Sequence, residues 1–156
     1  MGTSIVRPKS KTLVPDTTSA DDNSIAAAQP PGGAGNLTLL ASASTFAPTG
    51  VGLFVTVTGD GGTNLTGVTF TITGTNALGI TATEALNGPN GAATVTSTLK
   101  YNTVTQIAVS GGTTTAVRAG NAAGSGGSEQ SIFVGRTRLR ELFGTTAATA
   151  NTVYIF

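Results

Sequence analysis

Apolar residues and threonines alternate along several short stretches in the middle of the chain. In residues 68–73, Val68, Phe70 and Ile72 alternate with three threonines. Because successive side chains of a β-strand point to opposite faces, this period predicts strands with one apolar face and one threonine face. Seven such strands are predicted, at residues 37–41, 52–58, 68–74, 80–86, 93–98, 104–109 and 114–118. The alternation shifts near Gln106, which predicts a β-bulge there.

Turns rich in glycine and asparagine separate the predicted strands. Examples are the sequences DGG at residues 60–62, NGPNG at 87–91 and SGG at 110–112. These residue types adopt turn conformations readily. Short strands punctuated in this way are typical of an all-β domain, here a small antiparallel sandwich or barrel of the immunoglobulin-like or jelly-roll-like kind. We place this domain at residues 36–118.

The segments on either side of the predicted β domain have a different composition. Residues 1–35 are predicted to form an extended N-terminal arm, with one helical turn at 24–29 capped by Ser24. Residues 119–130 form a Gly/Ser-rich linker, and residues 131–156 a C-terminal arm. Such segments bury too little apolar surface to offset their ordering entropy alone, so we expect another protein chain to hold them.

The composition of the chain excludes several kinds of chemistry. It has 156 residues, a net charge of +1, no cysteine and no histidine. Disulfides, thiolate zinc sites and the commonest general base are therefore excluded. Within residues 36–117 the only carboxylates are Asp60, predicted in a turn, and Glu84, predicted to point outward from a strand. We therefore expect no enzymatic activity, no cofactor and no metal site, and, since no apolar run approaches the length of a membrane span, no membrane contact.

Charged and apolar residues in the two arms are the candidates for partner binding. They are Arg7, Lys9, Lys11, Leu13 and Val14 near the N-terminus, and Arg136, Arg138, Arg140, Tyr154, Ile155 and Phe156 near the C-terminus. In an extended segment the three alternating arginines lie on one face. They could contact nucleic acid phosphates or acidic patches of a protein. Because no aromatic platform for bases accompanies them, we expect ion pairs with a protein and no direct contact with nucleic acid.

Four stretches of the central region resemble small structural proteins of tailed bacteriophages. They are PGGAGNLTL at residues 31–39, VTFTITGTN at 68–76, EALNGPNG at 84–91 and YNTVTQI at 101–107. The resemblance implies a virion component, a capsid cement or decoration protein whose arms clasp neighbouring capsid subunits. It further implies synthesis in the host cytoplasm, a place on the capsid surface, the major capsid protein or other virion subunits as partners, and a homo-oligomer, with a trimer favoured.

Two other functions fit the same sequence pattern. A neck, tail or fibre subunit of the same virion would be present in few copies, whereas a decoration protein is present in many. A secreted adhesive or carbohydrate-binding β module would need a signal peptide and aromatic side chains that stack on sugar rings. The chain has two tyrosines and six phenylalanines for that purpose.

Overall fold

The computed structural model describes residues 19–48 and 51–123, which form eight strands and one short 3-10 helix. The strands are β1 (Asp21–Gln29), β2 (Gly35–Asn36), β3 (Leu53–Gly59), β4 (Thr69–Thr75), β5 (Thr81–Asn87), β6 (Thr94–Tyr101), β7 (Thr103–Val109) and β8 (Val117–Asn121), and the 3-10 helix spans Ala41–Ser44. These elements confirm the predicted all-β class.

The strands form two four-stranded antiparallel sheets that pack as an open sandwich. The first sheet has the order β1-β8-β3-β6, and the second has the order β2-β7-β4-β5. Apolar side chains from both sheets fill the space between them, and Val57, Phe70, Ile72 and Ile107 are fully buried there. Alternation of apolar and polar residues therefore places one face of each sheet in the core.

Five of the predicted strands correspond to β3, β4, β5, β6 and β7. Their limits agree within one residue, except that β6 continues to Tyr101, three residues beyond the predicted end. The predicted bulge is also confirmed, because Thr73 pairs with Gln106 while Gly74 pairs with Val104, which leaves Thr105 as the extra residue. The prediction at 114–118 begins three residues too early, since β8 spans Val117–Asn121.

The predicted strand at residues 37–41 was wrong. Leu37 donates its N–H to the carbonyl of Ile107 in the second sheet, and Leu40 donates to the carbonyl of Ile25 in the first. This segment therefore crosses between the sheets and pairs as a strand in neither. Leu37 is buried in the core, which accounts for its apolar character in the sequence.

The helical turn predicted at residues 24–29 was also wrong, because these residues lie in β1. Ile25 and Ala26 are fully buried, and Ala26 pairs with Ala119 of β8. Pairing with a distant strand outweighs the helix propensity of three consecutive alanines. Three strands extend beyond the predicted limits of the β domain, since β1 precedes residue 36, β2 begins at Gly35 and β8 ends at Asn121.

Candidate binding groove

The eleven residues predicted to bind partners lie outside the residues that the structure describes. They are Arg7, Lys9, Lys11, Leu13, Val14, Arg136, Arg138, Arg140, Tyr154, Ile155 and Phe156. Their roles stay predictions. The described residues instead show where the segments that carry them join the sandwich.

Glu84 lies on the inner face of the second sheet, so the prediction that it points outward was wrong. It pairs with the buried Ile72 of β4, and cross-strand partners share a face. The carboxylate of Glu84 accepts hydrogen bonds from the N–H of Thr98 at 2.8 Å, the hydroxyl of Thr98 at 2.8 Å and the N–H of Leu99 at 2.9 Å. Because Thr98 and Leu99 belong to β6, this carboxylate joins the edges of the two sheets.

A bulge with two extra residues in β6 makes the amides of Thr98 and Leu99 available to Glu84. Phe54 of β3 pairs with Lys100, whereas Thr56 pairs with Thr96, so Val55 alone faces three residues of β6. The hydroxyl of Ser97 replaces the missing ladder partner, because it accepts the N–H of Val55 at 2.9 Å. Burial raises the pKa of Glu84, but the hydrogen bonds from Thr98 and Leu99 together outweigh it and hold the pKa below its ordinary value. Glu84 is therefore an ionised structural group at neutral pH.

Tyr101 ends β6 with a fully buried side chain. Its hydroxyl has no hydrogen-bond partner within the described part of the chain. Burial, together with the charge of Glu84, raises the pKa of Tyr101 to about 12. The phenol is therefore protonated at neutral pH.

A second cluster of charged side chains joins β1, β8 and the bend after β3. The Nε of Arg118 donates to a carboxylate oxygen of Asp22 at 2.7 Å, and its Nη1 forms an ion pair with Asp60. Asp60 lies in the bend after β3, where a turn was predicted. One guanidinium is thus shared by two carboxylates, which leaves this cluster with a net negative charge.

A groove of about 770 Å³ lies against the first sheet. It is lined by Ser19, Ala20, Asp21, Asp22, Ser24, Phe46, Thr56, Thr58, Thr94, Asn121 and Ala122. Thr56 and Thr58 alternate along β3 with core residues, so they belong to the outer face, yet they are only 6% and 4% exposed. Thr58 exchanges a hydrogen bond with Thr94 at 2.8 Å. The hydroxyl of Thr56 has no partner among the described residues.

Asn121 holds the two ends of the described chain together at this groove. Its side-chain amide donates to the carbonyl of Ser19 at 2.9 Å and to the carbonyl of Ala122 at 3.1 Å. Its carbonyl oxygen accepts the hydroxyl of Ser24 at 2.8 Å. Because Asn121 is only 3% exposed, these bonds are shielded from water. The N-terminal and C-terminal segments therefore join the sandwich side by side at the rim of the groove.

Charge is divided unevenly between the sandwich and the segments that flank it. The described residues carry four acidic and two basic side chains, a formal charge of −2, namely Asp21, Asp22, Asp60, Glu84, Lys100 and Arg118. The whole chain carries +1, so the remaining residues carry +3. Two of the four carboxylates, Asp21 and Asp22, line the groove.

The outer face of the second sheet carries no charged side chain. It is built from cross-strand rows of small polar residues, such as Thr83–Thr73–Gln106 and Thr81–Thr75–Thr103. Thr75 and Thr103 exchange a hydrogen bond at 2.7 Å. We call this surface, which also includes Thr71, Ala85 and Ala108, the threonine face.

The described residues define an antiparallel β sandwich with an acidic groove against one sheet. No match to this chain was found among protein-family models, curated proteins or solved structures. Within residues 19–48 and 51–123, no three acidic, histidine or cysteine side chains are grouped as a metal site would need. The same residues contain no helix of the length and apolarity required to cross a membrane.

Proposed function

We propose that this chain is a structural subunit of a virion, a capsid cement or decoration protein that clasps neighbouring capsid subunits through its flanking segments. The observation that carries the proposal is the position of Ser19 and Ala122, which one side chain, Asn121, holds together. Both flanking segments start from this single point on the sandwich.

A common starting point suits a clasp. Two segments that leave a rigid domain side by side can engage the same neighbouring surface, and linked contacts raise the effective concentration of the second one. The segments carry the basic residues and the apolar tip that the sequence predicts as binding elements. The sandwich then acts as the rigid body from which they extend.

The threonine face supports the same proposal. Free monomers usually carry interspersed charges that keep them soluble, whereas the rows around Thr73 and Thr75 present none. Small, uncharged side chains pack against a neighbouring subunit without the cost of desolvating ions. Such a face fits closely packed copies on a particle surface.

The test is a pull-down from the source cells with a tagged full-length chain, followed by sedimentation and mass spectrometry. The proposal predicts that the chain sediments with particles that contain a major capsid protein. A variant that lacks residues 1–18 and 124–156, with an unchanged circular dichroism spectrum, should lose that association. Sedimentation of the full chain as a free species, without capsid protein, would overturn the proposal.

Copy number separates decoration from the other virion roles. A decoration protein is expected at a number of copies comparable with the major capsid protein. A neck, tail or fibre subunit is expected as a small ring or bundle at one site of the particle. Electron cryomicroscopy of the isolated particle distinguishes the two directly.

A further inference from the structure

We propose that the groove on the first sheet binds the arginine segment of its own chain, residues 136–140, whose sequence is RTRLR. The inference concerns the chain alone and does not depend on whether the chain belongs to a virion. It rests on the charge of the groove, on an unpartnered hydroxyl in its lining, and on the place where the C-terminal segment begins.

The charge of the groove calls for a cationic occupant. Asp21 and Asp22 line it, and among the described residues of its lining there is neither arginine nor lysine. Arg118 lies nearby, but it is shared between Asp22 and Asp60, so one carboxylate charge remains after this pairing. A guanidinium pairs with carboxylates in a bidentate geometry that an ammonium does not match, which favours arginines over the lysines of the N-terminal segment.

The lining of the groove also contains an unmet hydrogen-bonding group. Thr56 is 94% buried, since its exposed fraction is 6%, and its Oγ1 lacks a partner in the described residues. A buried hydroxyl without a partner has lost its hydrogen bonds to water and gained none in return, which destabilises the folded protein. Neighbouring threonines do not share this condition, because Thr58 is bonded to Thr94. A backbone group of an extended segment would supply what Thr56 lacks.

The geometry of the chain favours binding within one molecule. The C-terminal segment starts at the groove, because Ala122 lines it and is bonded to Asn121. Twelve residues, rich in glycine and serine, separate Ala123 from Arg136. A flexible linker of this length spans about 20 Å root-mean-square, which keeps the arginine segment at a high effective concentration near the groove. Extended residues 136–140 cover about 13 Å and place their three arginines on one face.

A disulfide experiment tests this arrangement in the full chain, which has no native cysteine. Thr94→Cys lies in the groove, and Val134→Cys lies two residues before Arg136, at a position that an extended chain places on the same face as the three arginines. The control replaces Thr94→Cys with Thr83→Cys, an exposed position on the threonine face. Mild oxidation should join the groove pair within one chain at least about tenfold faster than the control pair, as expected for a site of high effective concentration.

Three further measurements complete the test. Replacing Arg136, Arg138 and Arg140 with glutamine should bring the groove pair down to the control rate, and raised salt should act in the same direction. Thr56→Val, which keeps the shape of the side chain, should slow the groove pair without lowering the unfolding midpoint. Equal rates for the two cysteine pairs would overturn the proposal. A covalent dimer as the main product would also overturn it, because the occupant would then come from a second copy.

Discussion

The side-chain amide of Asn121 donates a hydrogen bond to the backbone carbonyl of Ser19, 102 positions away in the sequence. This contact places the first described residue beside the last residues of β8. Because Asn121 also bonds to Ser24 and Ala122, it fixes three parts of the groove rim at once.

Replacing Asn121 with alanine should therefore destabilise the sandwich and release its N-terminal end. Removal of a buried partner costs about 1–3 kcal/mol, since Ser19, Ser24 and Ala122 lose their bonds together. We expect a lower denaturation midpoint and faster proteolysis near Ser19. The matched control is Ser24→Ala, which removes one of these bonds and should have a smaller effect. Equal midpoints for the wild-type protein and Asn121→Ala would show that the contact contributes nothing.

Glu84 should make the stability of the protein fall at acidic pH. Its pKa is lower in the folded protein than the ordinary value of 4.5, so its contribution is present above pH 4.5 and lost as the pH falls through the folded pKa. Glu84→Gln, whose side chain carries one acceptor oxygen, should be less stable than wild type at pH 7 by about 1–2 kcal/mol. Urea unfolding at pH 7 and pH 3 should show this difference shrinking at pH 3. A constant difference would contradict the assignment.

Tyr101→Phe is expected to leave stability unchanged or to raise it. The hydroxyl of Tyr101 is buried without a described partner, so its removal relieves a desolvation cost and leaves the ring in place. The raised pKa, about 12, has a second consequence. Tyr101 makes the stability of the protein depend on pH only above pH 10, where the phenol ionises more readily in the unfolded chain, so stability should fall as the pH rises from 10 towards 12.

Ultraviolet titration of phenolate absorbance measures that pKa directly. The chain has two tyrosines, Tyr101 and Tyr154. The titration step near pH 12 should disappear in Tyr101→Phe and persist in Tyr154→Phe. If the step were lost only in Tyr154→Phe, the high pKa would belong to Tyr154, and the prediction for Tyr101 would be wrong.

Deletion of residues 1–18 and deletion of residues 1–35 should have opposite outcomes. The shorter deletion leaves every described residue in place, so the denaturation midpoint should stay near that of the full chain. The longer one removes β1, including the fully buried Ile25, and the first of the two residues of β2. Burial of such a side chain contributes about 1.5–3 kcal/mol by itself, and the pairing of β1 with β8 is lost as well. We expect the longer deletion to yield an unfolded or aggregated chain, as judged by circular dichroism.

The strands that the sequence predicts best are those with strict alternation. Val68, Phe70 and Ile72 alternate with threonines, and in β4 the apolar residues face the core while the threonines face outward. The local pattern and the tertiary packing therefore agree. β1 has no such pattern. Its run of alanines favours a helix locally, and only its pairing with β8, nearly a hundred residues later, makes it a strand.

The groove was beyond the reach of sequence patterns for the same reason. Its lining comes from β1, β3, β6 and β8, and none of these strands carries a recognisable binding motif. Glu84 shows the limit in another form. A lone carboxylate in a threonine-rich strand predicts an outward side chain, because its partners, the amides of a bulge in β6, are defined only once the sheets pack.

The hydrogen bonds between Glu84 and the bulge in β6 also affect where another strand can add to this sandwich. An edge strand normally offers free N–H groups on which another strand can add, and this is a common route to aggregation. At β6 the amides of Thr98 and Leu99 already donate to Glu84, and the bulge distorts the ladder on which a new strand would form. Addition of another strand at the β6 edge of the first sheet is thereby disfavoured.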